Sequence, residues 1–571
     1  MKNVVCIIVD SLRYDRLGFA GHLPDPSPTI NRLMSSGLAF TNCFAVGCPT
    51  DFSYPGLFTS TLPLDYGGYA LGLSNRKKNL AEVFRESGYR TAFFVQDAWP
   101  SNWGFTRGSD DVYHLYDLAR YNTDVICGRK FYNALRMVNP AGEREYVARF
   151  QVYLAGLFED LRSYCARLSN PASRPAIPRS LLLHDHDFDA IAKVVREAES
   201  EFRSNPEQTT RRFLEARNNP FFTQLASLVA ARTDHPHTID VDRPLRALLL
   251  VVLLHLTAQL ALGRTSVIVT LKCVQRLLKG QSKSVWYSSA GYMFNNFLNW
   301  LDTVQDRRFF AWIHTADVHE LNFTSYDIPG GEPAVQDEIR EAKKLYSGIL
   351  SRGLSYRGNP LYDFAIRYTD AQIARLLEEL KRRGLAKDTL ILITADHGHF
   401  HAGWPPRNKV HVTSHFFDDL YHLPVVFAGK GVPARVFDGL CSTLDIGPTL
   451  LDLVGLPAPA SFQGTALNRK GSAGRSHVLM EHMGTGYCDF QAKPVNVCVR
   501  NSAWKLVYVM PPPVTPAAGF VRELYDLRTD PSELKNIAAH GNVPSEAGEL
   551  LELARQRVRE IYRQNQLPWR D

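Results

Sequence analysis

The chain has 571 residues, 45% of them hydrophobic and 22% charged, with 65 Lys+Arg against 58 Asp+Glu for a formal charge of +7. That balance excludes a wholly disordered chain, a collagen-like chain and a polytopic membrane protein. The basic excess is too small to point to nucleic acid, and the length allows several domain-sized units with a large core.

The nine cysteines are scattered and include no Cys-x-x-Cys pair. This speaks against a zinc ribbon or a thioredoxin motif and suits a reducing compartment. The opening MKNVVCIIVD shows no cleavage signature and reads as a strand that starts a domain at once, so a cytoplasmic location is expected.

In chain order, residues 4–9 form an apolar run expected for a central parallel strand. Asp10 then sits at the strand's carboxyl end, where open α/β sheets place ligands. Residues 30–37 and 79–88 read as helices closed by glycine, and 89–95 as a strand. The alternation argues α/β. Between 113 and 298 helical spacing takes over (143–168, 188–202, 209–231), with a Pro/Ser/Ala-rich loop at 169–178, and the region is expected to be a helical insertion.

Within it, residues 247–263 (ALLLVVLLHLTAQLALG) run uncharged between Arg246 and Arg264. A spanning helix needs roughly 17–25 apolar residues. The run is at that lower limit and carries His255, Thr257 and Gln259, which favours a buried core helix. A homodimer interface, a peripheral membrane contact and a membrane-spanning helix are its other readings.

Beyond 298, strands are expected at 308–314, 389–394 and 423–427, and helices at 361–383 and 445–453. Residues 504–509 and 524–527 read as strands of a smaller sheet and 545–564 as a helix. The chain is expected to divide into a first α/β part (1–112), the insertion (113–298), a second α/β part (299–460) and a C-terminal subdomain (461–571).

Asp10 and the pair Asp396-His397 both follow apolar strands, and parallel strands share one carboxyl edge. Two carboxylates and an imidazole meeting there make a ligand set for zinc or manganese. Singly, an aspartate after a strand is more often a cap or turn residue. Three other segments carry chemistry. Residues 43–63 hold Cys48, Thr50, Ser53 and Tyr54, any of which could be a nucleophile. Residues 312–323 run into Asp317 and His319. Residues 408–422 contain Lys409, His411 and His415, suited to anionic oxygens. Singly, such loop histidines are as often solvated surface groups.

The segments NVVCIIVDSLRYDRLG, PTINRLMSSGLAFTNCFA, LFTSTLP, NLAEVFRESGYRTAFF, YDFAIRYTDAQIARLLEELKRRGLAKDTLILITADHGH, STLDIGPTLLDLVGLP and ELYDLRTDPSELKNIA occur in one order. This order resembles the sulfatase-like branch of the alkaline phosphatase superfamily, over residues 1–110 and 300–540. The resemblance implies an α/β fold: an alkaline-phosphatase-like, mostly parallel sheet with helices on both faces. The helical insertion and a small C-terminal antiparallel sheet region are added to it.

Sulfatases carry C/S-x-P-S-R, whose first residue becomes formylglycine. Counting back from Leu57-Phe58-Thr59 puts Thr50 at that position and Ser53 at the motif serine, with Tyr54 replacing the arginine and Phe52 the proline. Threonine cannot become formylglycine, so Thr50 resembles the nucleophile of phosphodiesterase and phospho-alcohol-transferring members. Ser11 replaces the second aspartate of the calcium site, and His397 stands where many sulfatases have asparagine. Both changes put zinc or manganese ahead of calcium as the divalent metal.

The implied site has Asp10, Thr50, Asp396 and His397 on the metal. Thr50, His319 and His411 are the catalytic set, and Ser53, Tyr54, Asp317, Lys409 and His415 bind substrate. His411 and His415 remain alternatives for the site histidine, and either could hold a second metal. The expected activity is hydrolysis of a phosphodiester or phosphomonoester, with a sulfate ester ranked behind, through a covalent Thr50 intermediate. The substrate class is an anionic small-molecule, glycan or lipid ester. Two other readings are a phospho-alcohol transferase acting on a cell-envelope glycan or lipid, and a non-catalytic member that keeps only the fold.

Overall fold

The computed structural model describes residues 2–69, 72–95, 104–114, 132, 143–169, 188–216, 220–221, 223–224, 289–304, 308–320, 360–399, 415–484, 488–490, 492–512, 518–538 and 543–567. Residues 247–263, Lys409 and His411 lie outside the described residues, as do residues 170–187 and most of 217–231.

The expected apolar strands form. β1 (Asn3–Val9), β5 (Phe309–Thr315) and β6 (Thr389–Thr394) are the sheet's centre and are buried along almost their whole length. With both faces covered, every position must be apolar, and the sequences do run without alternation. β2 (Leu38–Phe44), β3 (Arg90–Val95), β4 (Asp111–His114), β7 (His422–Ala428), β8 (Arg435–Phe437) and β9 (Cys441–Ser442) complete the sheet. Its order is β4-β3-β5-β1-β6-β7-β2-β8, with β9 also on β2. Among the described strands of this sheet only β7 runs antiparallel to its neighbours, β6 and β2.

Neighbouring phenylalanines show how the helices are divided between the two faces. Phe93 and Phe94 point to opposite sides of β3, as the two-residue strand period requires. Phe93 meets Phe58 of α2 (Thr50–Thr59), while Phe94 meets Phe297 of the helix Ala290–Val304. Helix α1 (Pro28–Ser36) begins with Pro28, and Asp370 accepts its Thr29 and Ile30 amides at 2.9 and 2.8 Å. Helix α3 (Leu80–Glu86) opens with a reciprocal capping box between Asn79 and Glu82.

In the insertion, α4 (Glu143–Ser169), α5 (Phe188–Ser204) and α6 (Pro206–Glu215) gather around Phe158, whose ring meets those of Phe202, Phe213 and Phe221. Ala290–Val304, α7, is different: Trp300 packs on Phe309, so this helix belongs to the catalytic sheet. α8 (Asp317–Glu320), α9 (Pro360–Arg382), α10 (Asp418–Tyr421) and α11 (Ile446–Val454) follow. Among the described residues no helix is long and apolar enough to cross a membrane.

The C-terminal unit is a four-stranded antiparallel sheet, β10 (Val478–His482), β11 (Val495–Arg500), β12 (Trp504–Met510) and β13 (Phe520–Asp526), covered by α12 (Gly548–Gln564). Arg557 of α12 reaches across to Glu481 Oε2 and Oε1 at 2.8 and 2.9 Å and to Asp65 Oδ1 at 2.7 Å. All three side chains are buried. Removing one partner from such a cluster strands the others' charge. Arg557→Met is expected to destabilise the protein by about 3 kcal/mol, the lower end of that range, because Arg76 lies near both carboxylates. The urea midpoint should fall, while Arg559→Met on the exposed face of α12 leaves it unchanged.

His482, on β10, is buried and stacks on Phe416 at 4.6 Å, with Nδ1 accepting the Gly484 amide at 3.2 Å. Burial, with Arg522 and His415 adding to it, pushes its pKa down to about 3. The unfolded chain therefore binds a proton that the folded chain refuses between pH 6.5 and 3, and stability falls as pH drops through that window. From pH 6.5 to 5 the loss is about 2 kcal/mol from this group. His482→Phe should flatten the acid side of the stability profile by that amount in urea titrations.

Candidate active site

β1 is flanked by β5 and β6 in parallel register, Ile8 opposite His314 and Thr394. Asp10 follows β1, His314 lies near the end of β5, and Asp396-His397 follows β6. Neighbouring strands thus deliver four polar side chains to one edge, and all four are buried.

The turn after β1 is bent by Ser11, a non-glycine at φ 67°. That conformation points the Ser11 amide at Asp396 Oδ1, 3.2 Å away, while Ser11 Oγ donates to Asp10 Oδ1 at 2.9 Å. Such strain concentrates at functional sites. The turn after β6 needs Gly398: a Cβ there would collide with the Asp419 carbonyl, and its amide donates to Leu420 O at 2.7 Å.

The third contributor is α2. It was not expected as a helix, since Pro55 and Gly56 sit inside it and Asp51–Thr59 is buried all round. Thr50 is its first residue, and Thr50 Oγ1 lies 3.2 Å from His397 Nε2. His397 Nε2 is 3.6 Å from both Asp10 Oδ1 and Asp396 Oδ2. The other ring nitrogen, Nδ1, faces Gly398 O at 2.6 Å and donates to it. This carbonyl fixes the ring as second-sphere groups do for metal-bound histidines.

The electrostatics ask for a cation. Burial opposes ionisation of Asp10, yet His319, His314 and His397 hold its carboxyl well below the usual range. Burial also opposes the His397 imidazolium, yet Asp396, Cys48 and Asp10 hold its pKa well above the histidine norm. Asp396 Oδ2 is buried with no hydrogen-bond partner. Asp10, His314 and Asp396 each offer a ligand atom, all within 4.8 Å of one another. Buried carboxylates with an orphaned oxygen and fixed imidazoles fit a divalent metal.

The structure places the expected residues as follows. Asp10, Thr50, Asp396 and His397 converge. His319 joins them, its ring 6.2 Å from His397 and 5.8 Å from His399. Ser53 is fully buried and donates to Thr50 O at 3.1 Å, an interaction inside the helix. Tyr54 is also fully buried, with its hydroxyl 2.8 Å from His314 Nδ1 and accepting Trp312 Nε1–H at 3.2 Å. Asp317 accepts the Ala290 amide at 2.9 Å and so caps α7. His415 lies 3.2 Å from Glu523 in the C-terminal sheet and stacks on Phe417.

Sequence reasoning missed His314, which was in view only as part of an apolar strand. The signal was its position: a polar residue near the carboxyl end of the strand that pairs with the strand of Asp10. It also missed Asp51, the residue after Thr50. Asp51 is buried, its Oδ1 has no hydrogen-bond partner, and burial pushes its carboxyl up to about 7.

A sheet of this order, with aspartates at the ends of β1 and β6 and a hydroxyl at the head of an intervening helix, defines an alkaline-phosphatase-like catalytic unit. Solved structures agree at the level of fold. The phosphonate monoester hydrolase of Agrobacterium radiobacter superposes with a TM-score of 0.51 at 17% identity, covering 99% of this chain and 96% of that one. A protein of the alkaline phosphatase superfamily from Vibrio parahaemolyticus gives 0.50 at 14% identity, covering 97% and 84%. The Sulfatase family model matches residues 2–164 and 259–456, more than half of the chain, and the chain belongs to that family. The C-terminal model of N-sulphoglucosamine sulphohydrolase matches 415–560.

Among curated relatives, arylsulfatase K of Bos taurus is 27% identical over 236 residues, 40% of this chain and 39% of that protein. The choline-sulfatase of Rhizobium meliloti is 29% identical over 193 residues, 33% and 34% of the two chains. The chain therefore spans only about two fifths or less of the length of these relatives.

Cys48 is the other nucleophilic atom near His397. Burial pushes its thiol above the usual range, with His397 opposing, so it stays protonated and unreactive. Cys48→Ala is expected to keep turnover within about threefold, and Cys48 of the wild-type protein to resist iodoacetamide in peptide mapping. A folded but inactive Cys48→Ala protein would make Cys48 the nucleophile in place of Thr50.

Proposed function

We propose that the protein is a metal-dependent hydrolase of an anionic ester, with Thr50 as the attacking group. The observation that carries this is Thr50 Oγ1 at the head of α2, 3.2 Å from His397 and beside the paired aspartates. Asp10, Asp396, His397 and Thr50 would hold the metal, zinc or manganese ahead of calcium. When bound, it supplies a Lewis acid that lowers the pKa of a coordinated hydroxyl and neutralises the ester's negative charge.

The chain's own residues do the rest. The amino end of α2 directs its dipole at the incoming oxyanion. Thr50 Oγ1, its proton passed to solvent, bonds to the central atom as the leaving oxygen departs, and water then releases the product and returns a proton to Oγ1. His319, whose ring lies 6.2 Å from that of His397, is the proton donor to the leaving oxygen in this reading. His399, held down to about 3 by burial with His319 and His397 adding to it, faces this edge as a neutral imidazole.

The names of the relatives support a sulfate ester as the first substrate class. A phosphoester is the second reading, and Thr50 itself favours it: an unmodified hydroxyl at this position is a phosphoryl acceptor by its chemistry. Lys409 and His411 remain candidates for contacts to the ester oxygens. The seven cysteines of the described residues are buried free thiols, which supports a reducing, cytoplasmic setting.

The test is turnover of p-nitrophenyl sulfate against bis-p-nitrophenyl phosphate, with and without EDTA. Both EDTA and Thr50→Ala are expected to lower the better of the two rates by roughly 10³-fold or more. Unchanged turnover in Thr50→Ala would remove Thr50 from the reaction.

A further inference from the structure

The proposed ligand set of Asp10, Asp396, His397 and Thr50 leaves out His314, although a nitrogen of its ring lies within 4.8 Å of both carboxylates' ligand atoms. It is buried on β5 with each ring nitrogen facing a specific atom. Nε2 lies 3.3 Å from Asp10 Oδ2. Two ligand atoms on one tetrahedral metal, each bonded at about 2.0–2.1 Å, stand about 3.3–3.4 Å apart. The His397–Asp10, His397–Asp396 and Thr50–His397 separations of 3.6, 3.6 and 3.2 Å are of the same size. The spacing is that of atoms sharing one ion.

The far side of the His314 ring is equally specific. Nδ1 faces the Tyr54 hydroxyl at 2.8 Å, and the same oxygen accepts Trp312 Nε1–H at 3.2 Å. Trp312 can only donate, so it fixes one lone pair of the phenol oxygen. A hydroxyl can then serve either tautomer of His314. It donates to a bare Nδ1 while Nε2–H faces Asp10, or it accepts Nδ1–H and turns the Nε2 lone pair toward the carboxylates. Only the second arrangement binds a metal, and phenylalanine at position 54 could support neither.

We propose that His314 is a ligand of the metal, contributed by β5, and that Tyr54, held by Trp312, is the positioning residue that sets its tautomer. The site then offers two imidazoles, two carboxylates and a threonine hydroxyl. Such a nitrogen-containing set selects zinc, cobalt or manganese over calcium, whose ligands are oxygens. The proposal rests on the site being a metal centre, and the experiment separates the two claims.

Metal-free protein is titrated with Co²⁺ alone, reading the visible bands of the bound ion, and with Zn²⁺, reading the rise in melting temperature, each for wild type, His314→Ala, His314→Gln and Tyr54→Phe. Wild type is expected to bind Co²⁺ and to be stabilised by Zn²⁺ but not by an equal concentration of Ca²⁺. Tyr54→Phe should weaken binding roughly 10–100-fold, the effect of losing a group that orients a ligand. His314→Ala and His314→Gln should weaken it at least as much and change the cobalt bands, which Tyr54→Phe leaves in position. A variant with reduced melting temperature before metal is added is judged by the size of its metal-induced rise. Wild-type affinity and bands in both His314 variants would overturn the assignment while leaving the metal centre standing. A wild-type protein that takes up neither ion overturns both.

Discussion

Everything at this site follows from two carboxylates forced together where water cannot reach them. Asp10 and Asp396 end adjacent strands whose register is held by buried apolar residues, 4–9 and 390–393, so they cannot move apart to relieve repulsion. Low dielectric makes that repulsion expensive. The surrounding groups answer it: the Ser11 and His397 amides donate to Asp396, and His314 and His397 face Asp10. The positive φ of Ser11 and the absence of a side chain at Gly398 are local costs of holding these donors in place.

How much of this could be read from the sequence depended on how each element is buried. β1, β5 and β6 were legible because strands covered on both faces are runs of apolar residues, and their ends marked Asp10, Asp396 and His397. Strand direction was not legible, so β7 gave no hint that it runs opposite to its neighbours. α2 was hidden because a helix buried all round has no amphipathic period, and Pro55 and Gly56 read as breakers. β10 and β11 also escaped notice, though β12 and part of β13 did not.

Side-chain destinations were harder still. Ser53 and Tyr54 share a short segment with Thr50, which suggested a shared task. On a helix, residues three and four positions along share a face, yet these side chains end differently: Ser53 turns back to the Thr50 carbonyl, and Tyr54 reaches Trp312 and His314 rather than the open edge. Asp317 sits beside the catalytic edge but spends its carboxylate on the α7 amide. Only three-dimensional packing separates such residues from those that face a ligand.

The Arg557 bridge has a consequence for the order in which the protein can be completed. Asp65 lies shortly after α2, Glu481 is on β10, and the guanidinium that neutralises them belongs to α12. On a ribosome moving at roughly 5–20 residues per second, about half a minute to two minutes separates Asp10 from Arg557. Asp65 precedes Arg557 by 492 residues and Glu481 by 76, so for most of synthesis Asp65 has Arg76 but not Arg557 as a nearby cation. The loop behind α2 is therefore made long before the guanidinium that completes its charge cluster, and its final setting depends on α12.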